Sequence, residues 1–321
     1  MESVSIIKLI SAIAQLMLMA LVGFVLFKKK ITDRCALDFI AKFIVNVSTP
    51  AFILFKMSAG FDLSFRPSWW IFFLISVIFY IVGLILSSLI YSCRASDACR
   101  SREVKMLSVF QNCGYLPMTM AYLMLDGRDL DAVLIYTILY LFGFNFLLWS
   151  VGSWFIYSDG KKIFNVKSIL NPPTVATIAV LILKYVMGTS YHLPDVFSAP
   201  LEMIGKTTFP LAMIFLGGTL ADSSAVRADR QFFSEMISVV LIKLILMPLI
   251  ALLFCYFFRM ADLLGFFIVL QAAMPSAVNV AIAVKHHNGQ QSFAAQAVVI
   301  MHLLAVFTVP LWLGLFLRMK L

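Results

Sequence analysis

Charge is what this sequence has least of: of 321 residues only 13% are Asp, Glu, Lys or Arg, against 62% apolar. A soluble domain carries about one-quarter charged residues, so the composition excludes most soluble enzymes and nucleic-acid binders, and a mean hydropathy of +0.98 agrees. Polar connecting sequence is equally scarce. At about 20 apolar residues per transmembrane helix, ten spans leave about 12 residues for each intervening loop, too few for an extramembrane domain. The five cysteines, Cys35, Cys93, Cys99, Cys113 and Cys255, have neither C-x-x-C pairing nor the density of a disulfide scaffold. A Walker loop, a G-x-G-x-x-G fingerprint after a strand and a Ser/His/Asp constellation are all missing, so the sequence supports neither ATP-driven pumping nor an enzyme. No carboxylate stands in the middle of an apolar run: Glu235 opens one, and Asp38 and Glu202 lie near the starts of theirs. The usual carboxylate proton relay of a membrane pump is therefore absent.

What the chain does have is a succession of apolar runs, at about 6–27, 36–57, 68–92, 104–125, 131–157, 171–187, 200–220, 233–258, 262–284 and 293–317. The expected fold is an all-α polytopic membrane protein of ten transmembrane helices. The first run has Glu2 near its start and passes directly into Lys28, Lys29 and Lys30 without a small-residue cleavage motif, so it stays as a helix and is not a signal peptide. The 25 Lys and Arg, giving a formal charge of +9, are scattered through the gaps and not gathered on one basic face, so nucleic acid is not a partner. They orient the chain instead. The loops after spans 1, 3, 5, 7 and 9 hold fourteen, among them Arg34, Arg94, Arg102, Lys161, Arg227 and Lys285; the opposite side, termini included, holds seven, among them Lys8, Lys56, Arg66 and Arg128. By the positive-inside rule both termini face away from the cytoplasm, in the plasma membrane or the bacterial inner membrane.

Prolines and glycines mark an internal repeat. Pro50 in "STPAFILF" matches Pro210 in "TTFPLAMIF" at an offset of 160, Pro117 matches Pro275 at 158, and the loop glycines Gly127 and Gly289 differ by 162. An odd number of spans per copy makes the second copy enter from the other side, so residues 1–160 and 161–321 are expected to be inverted five-helix repeats, a transporter signature. In such folds the substrate site lies near the midplane, where broken helices cross. Spans four, "FQNCGYLPMTMAYL", and nine, "LQAAMPSAVNVAIA", each carry a proline near mid-span beside polar residues that are costly in hydrocarbon unless they line a cavity or pair between helices. Pro117 and Pro275 are expected to unwind these helices where they cross. Asn112 and Asn279 would hold a carboxylate, with Gln111, Gly114 and Ser276 completing the polar site at the helix N-termini. The competing possibility is two kinked helices whose asparagines bond their neighbours.

Four lysines fall within or at the edges of spans. Lys243 lies too deep to snorkel and either attracts an anion or makes a structural hydrogen bond. Lys42 and Lys206 each follow a carboxylate, Asp38 and Glu202, by four residues, the spacing of a local ion pair, and Lys184 is placed to snorkel. His302, about ten residues into span ten, either relays protons or bonds a neighbouring helix in its neutral form. His286 and His287 lack ligand partners at metal spacing, so no metal and no cofactor are expected.

Taken in order, "NPP" at 171–173, "FPLAMIFLGGTLAD" at 209–222, "LIKLILMP" at 241–248 and "LQAAMPSAVNVAIA" followed by Gly289 resemble the auxin efflux carrier family of membrane transporters. That family includes plant auxin carriers and bacterial malate and malonate permeases. The resemblance runs along nearly the whole chain. It implies two inverted five-helix repeats, a scaffold of spans 1, 2, 6 and 7, a transport domain of spans 3–5 and 8–10, and a homodimer formed through scaffold helices. It also implies crossing at Pro117 and Pro275, with Asn112 and Asn279 on the substrate carboxylate. The function expected is a permease that moves a small organic anion through the lipid bilayer by alternating access. Its alternatives are a sodium-coupled symporter of the bile-acid-transporter-like fold and a membrane ligand sensor. The substrate, the coupling ion and the direction of transport are left open by the sequence.

Overall fold

The computed structural model describes residues 6–61, 68–92, 98–150, 154, 156, 170–188, 191–222, 230–286 and 291–320. Glu2, Arg66, Cys93, Arg94, Lys161, Lys162, Lys167, Arg227, His287 and Gly289 lie outside them. Helices are the main elements among the described residues, which otherwise hold turns, connecting segments and one isolated antiparallel bridge. In chain order the helices are α1 (Ile6–Lys28), α2 (Arg34–Gly60), α3 (Trp70–Ser92), α4 (Ala98–Val109), α5 (Tyr115–Met124), α6 (Gly127–Trp149), α7 (Pro172–Met187), α8 (Asp195–Asp222), α9 (Gln231–Phe257), α10 (Asp262–Ala273), α11 (Asn279–His286) and α12 (Gln291–Lys320). Seven of these, α1, α2, α3, α6, α8, α9 and α12, are long and apolar enough to cross a membrane, while α7 and α10 are shorter apolar helices. The chain is thus an integral multi-pass membrane protein. Among the long helices α6 is the innermost, 72% buried, whereas α1 and α3, at 22% and 28%, turn most of their apolar surface outward, where a bilayer would meet it.

Two helices are wound wide for one turn, at Ile44–Ser48 in α2 and Leu241–Leu246 in α9, and each wide turn runs into a proline, Pro50 or Pro248. A proline has no N–H for the carbonyl four residues before it and its ring crowds that carbonyl, so the helix accommodates an extra residue instead of closing its ladder. In α9 the carbonyl so released, that of Leu244, takes the indole N–H of Trp312 at 2.8 Å. In α2 the corresponding carbonyl belongs to Asn46.

Helix contacts follow from small residues and rings. α1 lies directly on α8: a Cβ on Gly23 would stand 1.9 Å from the Ile214 carbonyl oxygen, and one on Gly217 1.7 Å from that of Ala20. Gly205 likewise seats α8 against the backbone of Phe52 in α2. On the other side of the molecule Phe72 stacks on Tyr136 at 4.3 Å, and Phe267 packs edge-on to both, binding α3, α6 and α10.

Ion pairs tie the ends. Lys8 reaches Asp126 at 3.1 Å and Lys56 pairs with Asp131, placing the start of α1, the end of α2 and the start of α6 together; Arg34 bonds Asp222 at 2.9 Å. Lys206 and Glu202 form the expected pair at 2.7 Å. Two lysines depart from expectation. Lys42 makes no ion pair with Asp38 among the described residues and lines a cavity instead. Lys184 is buried and does not snorkel: the chain returning after α7 brings the Tyr191 carbonyl within 2.7 Å of its ammonium, which thus needs no headgroup.

Candidate anion site at the paired helix breaks

Two helices are interrupted near mid-span, between α4 and α5 at 110–114 and between α10 and α11 at 274–278. The two extended stretches run antiparallel and bond each other: Asn112 N–H donates to the Pro275 carbonyl at 2.7 Å, Ala277 N–H to that of Phe110 at 3.0 Å, and Gln111 faces Ser276 as a bridge pair. Pairing satisfies backbone groups that hydrocarbon could not. The Gln271 side chain adds a bond from its amide N–H to the Cys113 carbonyl at 3.1 Å. Phe110 is clamped between Tyr80 of α3 and Phe144 of α6, both rings 5.7 Å away.

Pro275 lies in its break, but Pro117 does not. The first break falls upstream, at Phe110–Gly114, and Pro117 sits in the first turn of α5, where a helix has unpaired N–H groups in any case and loses nothing by lacking one. The crossing is therefore centred on Gln111 and Ser276.

Beside the crossing is a cavity of ≈ 290 Å³. One wall comes from the wide turn of α2, the start of α7 and the middle of α8; the other comes from residues 111–115, 277–279 and α6. Asn112, Asn279 and Gly114 line it. Gly114 and Tyr115 at the start of α5 and Asn279 at the start of α11 line it, so the positive ends of both helix dipoles lie at the space, although the Val280 and Ala281 N–H groups already bond the Ala277 and Val278 carbonyls. Asn112 is buried, and Asn279 half-buried. The Asn112 Nδ2 lies 3.2 Å from His302 Nε2, and His302 Nδ1 lies 2.8 Å from the Val298 carbonyl on its own helix. A carbonyl only accepts, so Nδ1 carries the proton, and Nε2 accepts from the Asn112 amide.

The remaining expected site residues stand behind this wall. Gln111 lines the cavity, but its side-chain polar atoms are committed: Oε1 accepts from Lys243 Nζ at 3.0 Å, and Nε2 donates to the Tyr140 hydroxyl. Lys243, in the wide turn of α9, is fully buried and does not line the cavity. The Ser276 hydroxyl donates to the Leu107 carbonyl and is turned away as well. Three amides that the sequence did not single out do line the cavity: Asn46 in the wide turn of α2, Asn145 on α6, and Asn171, whose Oδ1 caps α7 by accepting from Thr174 N–H at 3.0 Å. Asn145 is buried and makes no hydrogen bond to another described residue. The rest of the wall is apolar and aromatic, including Phe144, Trp149, Met213 and Phe215, with Lys42 as its charged member. Among the described residues no group of three or more His, Cys, Asp or Glu could hold a metal ion.

Residues 8–163 and again residues 156–313 match the model of a family described as membrane transport protein. No curated protein matches the chain.

Proposed function

The chain belongs to the membrane transport protein family, the auxin efflux carriers, and from that premise we propose that it is a secondary transporter moving a small organic anion, such as a carboxylate, by alternating access. The observation that carries this reading is the antiparallel pairing of two helix breaks beside a cavity into which two helix N-termini and the amides of Asn112 and Asn279 are directed. Helix N-termini favour negative charge, and no Asp or Glu is among the described residues that line the cavity to repel it. Its volume, at the low end of small-molecule sites, suits a small acid, and the apolar wall suits a carboxylate with an apolar body. Lys243 adds positive potential from behind Gln111. Lys42 meets the anion at the rim.

The architecture we propose is ten spans, with α4 and α5 as span four and α10 and α11 as span nine, in two inverted five-helix repeats over 1–160 and 161–321. Two facts support it. The family model matches the chain twice. Ser48 and Thr208 bond each other at 3.0 Å and are 160 residues apart, the same offset as Pro50 and Pro210, as positions on a two-fold axis between the halves would be. In this reading α1, α2, α7 and α8 form the scaffold, through which two copies join as a homodimer, and the other helices form the transport domain. Both termini lie on the non-cytoplasmic side of the plasma or inner membrane.

The test is flux of labelled malate, malonate and indole-3-acetate into proteoliposomes. Saturable flux of at least one acid, reduced at least about tenfold, or 1.4 kcal/mol, in the Asn112→Ala/Asn279→Ala variant, is the expected result. A folded double variant that transports normally removes the assigned site.

A further inference from the structure

The cavity wall has a back side, and His302 is in it. The imidazole bridges two spaces: its Nε2 meets Asn112 of the cavity, and its ring lines an apolar groove of ≈ 530 Å³ between α1, α5, α8 and α12. Among the described residues that line the groove, His302 alone has a polar side chain. The other described residues of the groove are apolar, and Nε2 faces Asn112, which lines the cavity.

We propose that His302 binds a proton together with the transported anion and that the Asn112 carboxamide is the element coupling the two. This rests on the anion site proposed above. With His302 neutral, its Nδ1 proton is given to the Val298 carbonyl and one Asn112 Nδ2 hydrogen is given to Nε2. That leaves Asn112 Oδ1, which has no partner among the described residues, for the cavity, and a carbonyl oxygen repels a carboxylate. When a proton adds to Nε2, both ring nitrogens become donors and the bond from Nδ2 can no longer be made. Turning the carboxamide over restores it in reverse: Nε2–H donates to Oδ1, and both Nδ2 hydrogens are released to the anion. One proton is taken from cavity water, one hydrogen bond is exchanged for another, and no other bond changes. The positive charge then stands one side chain from the carboxylate, in surroundings that strengthen their attraction. By linkage, whatever the proton does for the anion the anion does for the proton.

Other charged groups do not take this role. Of the helices packed on α12, α1 carries Lys8 and Lys28, α10 carries Asp262 and α11 carries Lys285 and His286, at or near helix ends, while α4 carries Arg100, Arg102, Lys105 and, near its middle, the buried Glu103. Glu235 lies near the start of α9. Across the groove, α8 carries Asp195, Glu202, Lys206 and Asp222, and α5 carries Tyr115 and Tyr122. At the crossing itself stand Lys243, the neutral Tyr140 and Cys113, and the Gln111 amide, bonded to Lys243 and Tyr140 at its two ends, separates Lys243 from the cavity.

The experiment adds the potassium salts of malonate and of indole-3-acetate to purified protein in lightly buffered solution with a pH indicator, and counts protons taken up per anion bound. The wild type is expected to take up about one proton per anion, and its affinity to fall about tenfold for each unit of rising pH. His302→Gln and His302→Asn, two variants so that misfolding of one leaves the other, are expected to take up none per anion bound. Anion binding without uptake by the wild type, or unchanged uptake in a folded variant, overturns the inference while leaving the anion site intact. Binding of neither acid removes the anion site, and this inference with it.

Discussion

Lys243 and Gln111 share a hydrogen bond at the centre of the molecule, each a poor solitary occupant of hydrocarbon. Replacing Lys243 by Met leaves Gln111 Oε1 without its donor, at a cost of about 1–3 kcal/mol. Gln111→Leu leaves the Lys243 amine buried without that acceptor, at a cost of at least about 1–3 kcal/mol. The double variant removes both polar groups. It is therefore expected to be more stable than the sum of the single losses predicts, by at least about 1 kcal/mol, in thermal unfolding in detergent. Strict additivity would mean that the 3.0 Å bond has no energetic consequence. The same pair shows what residue identity conveys. Asn112 and Asn279 could be found because mid-span amides beside a proline are costly unless used. That Gln111 and Ser276 turn away, and that Asn46, Asn145 and Asn171 turn in, depends on how five separate segments are set against one another, which the order of residues along any one of them does not contain.

At the scale of elements, association inside a bilayer gains little from the hydrophobic effect and depends on close approach of backbones. Gly217 is where α8 meets α1 most closely, and the obstacle a side chain would find there is the Ala20 carbonyl, which cannot swing aside. Gly217→Val is expected to cost about 3 kcal/mol, the upper end for overpacking, and to lower the melting temperature of the detergent-solubilised protein clearly. Gly314→Val, on α12 where nothing lies within 4 Å of an added Cβ, is the control expected to unfold with the wild type. Similar losses in both would show helix propensity at work and not contact. Hydropathy located these helices because a span's length is set by the bilayer. It placed the start of α6 at residue 131, four residues late, since the polar first turn from Gly127 reads as loop although Asp129 is favoured at a helix N-terminus. Proline was an ambiguous sign for the same kind of reason. Pro275 stands in a break, Pro117 in a first turn, and Pro50 and Pro248 after wide turns, because what each does depends on where the helix begins.

At the scale of the molecule, alternating access requires one group of helices to move against another, and the contacts between the two groups must then break and re-form. Tyr122 of α5 and Phe209 of α8 stack with ring centres 5.4 Å apart, one in each proposed group. Ser48 of α2 and Thr208 of α8, 3.0 Å apart, both belong to the proposed scaffold. In a background without the five native cysteines, joining Tyr122→Cys to Phe209→Cys with a bifunctional thiol reagent is expected to reduce flux to that of empty vesicles, and reduction of a cleavable link to restore it. Joining Ser48→Cys to Thr208→Cys is expected to leave flux as it was, because that distance has no need to change during the cycle. Each pair is the other's control for the chemistry of labelling. If both links stop transport, the boundary has been drawn through a unit that moves as one; if neither does, α5 travels with α8 and the moving surface lies elsewhere in the molecule.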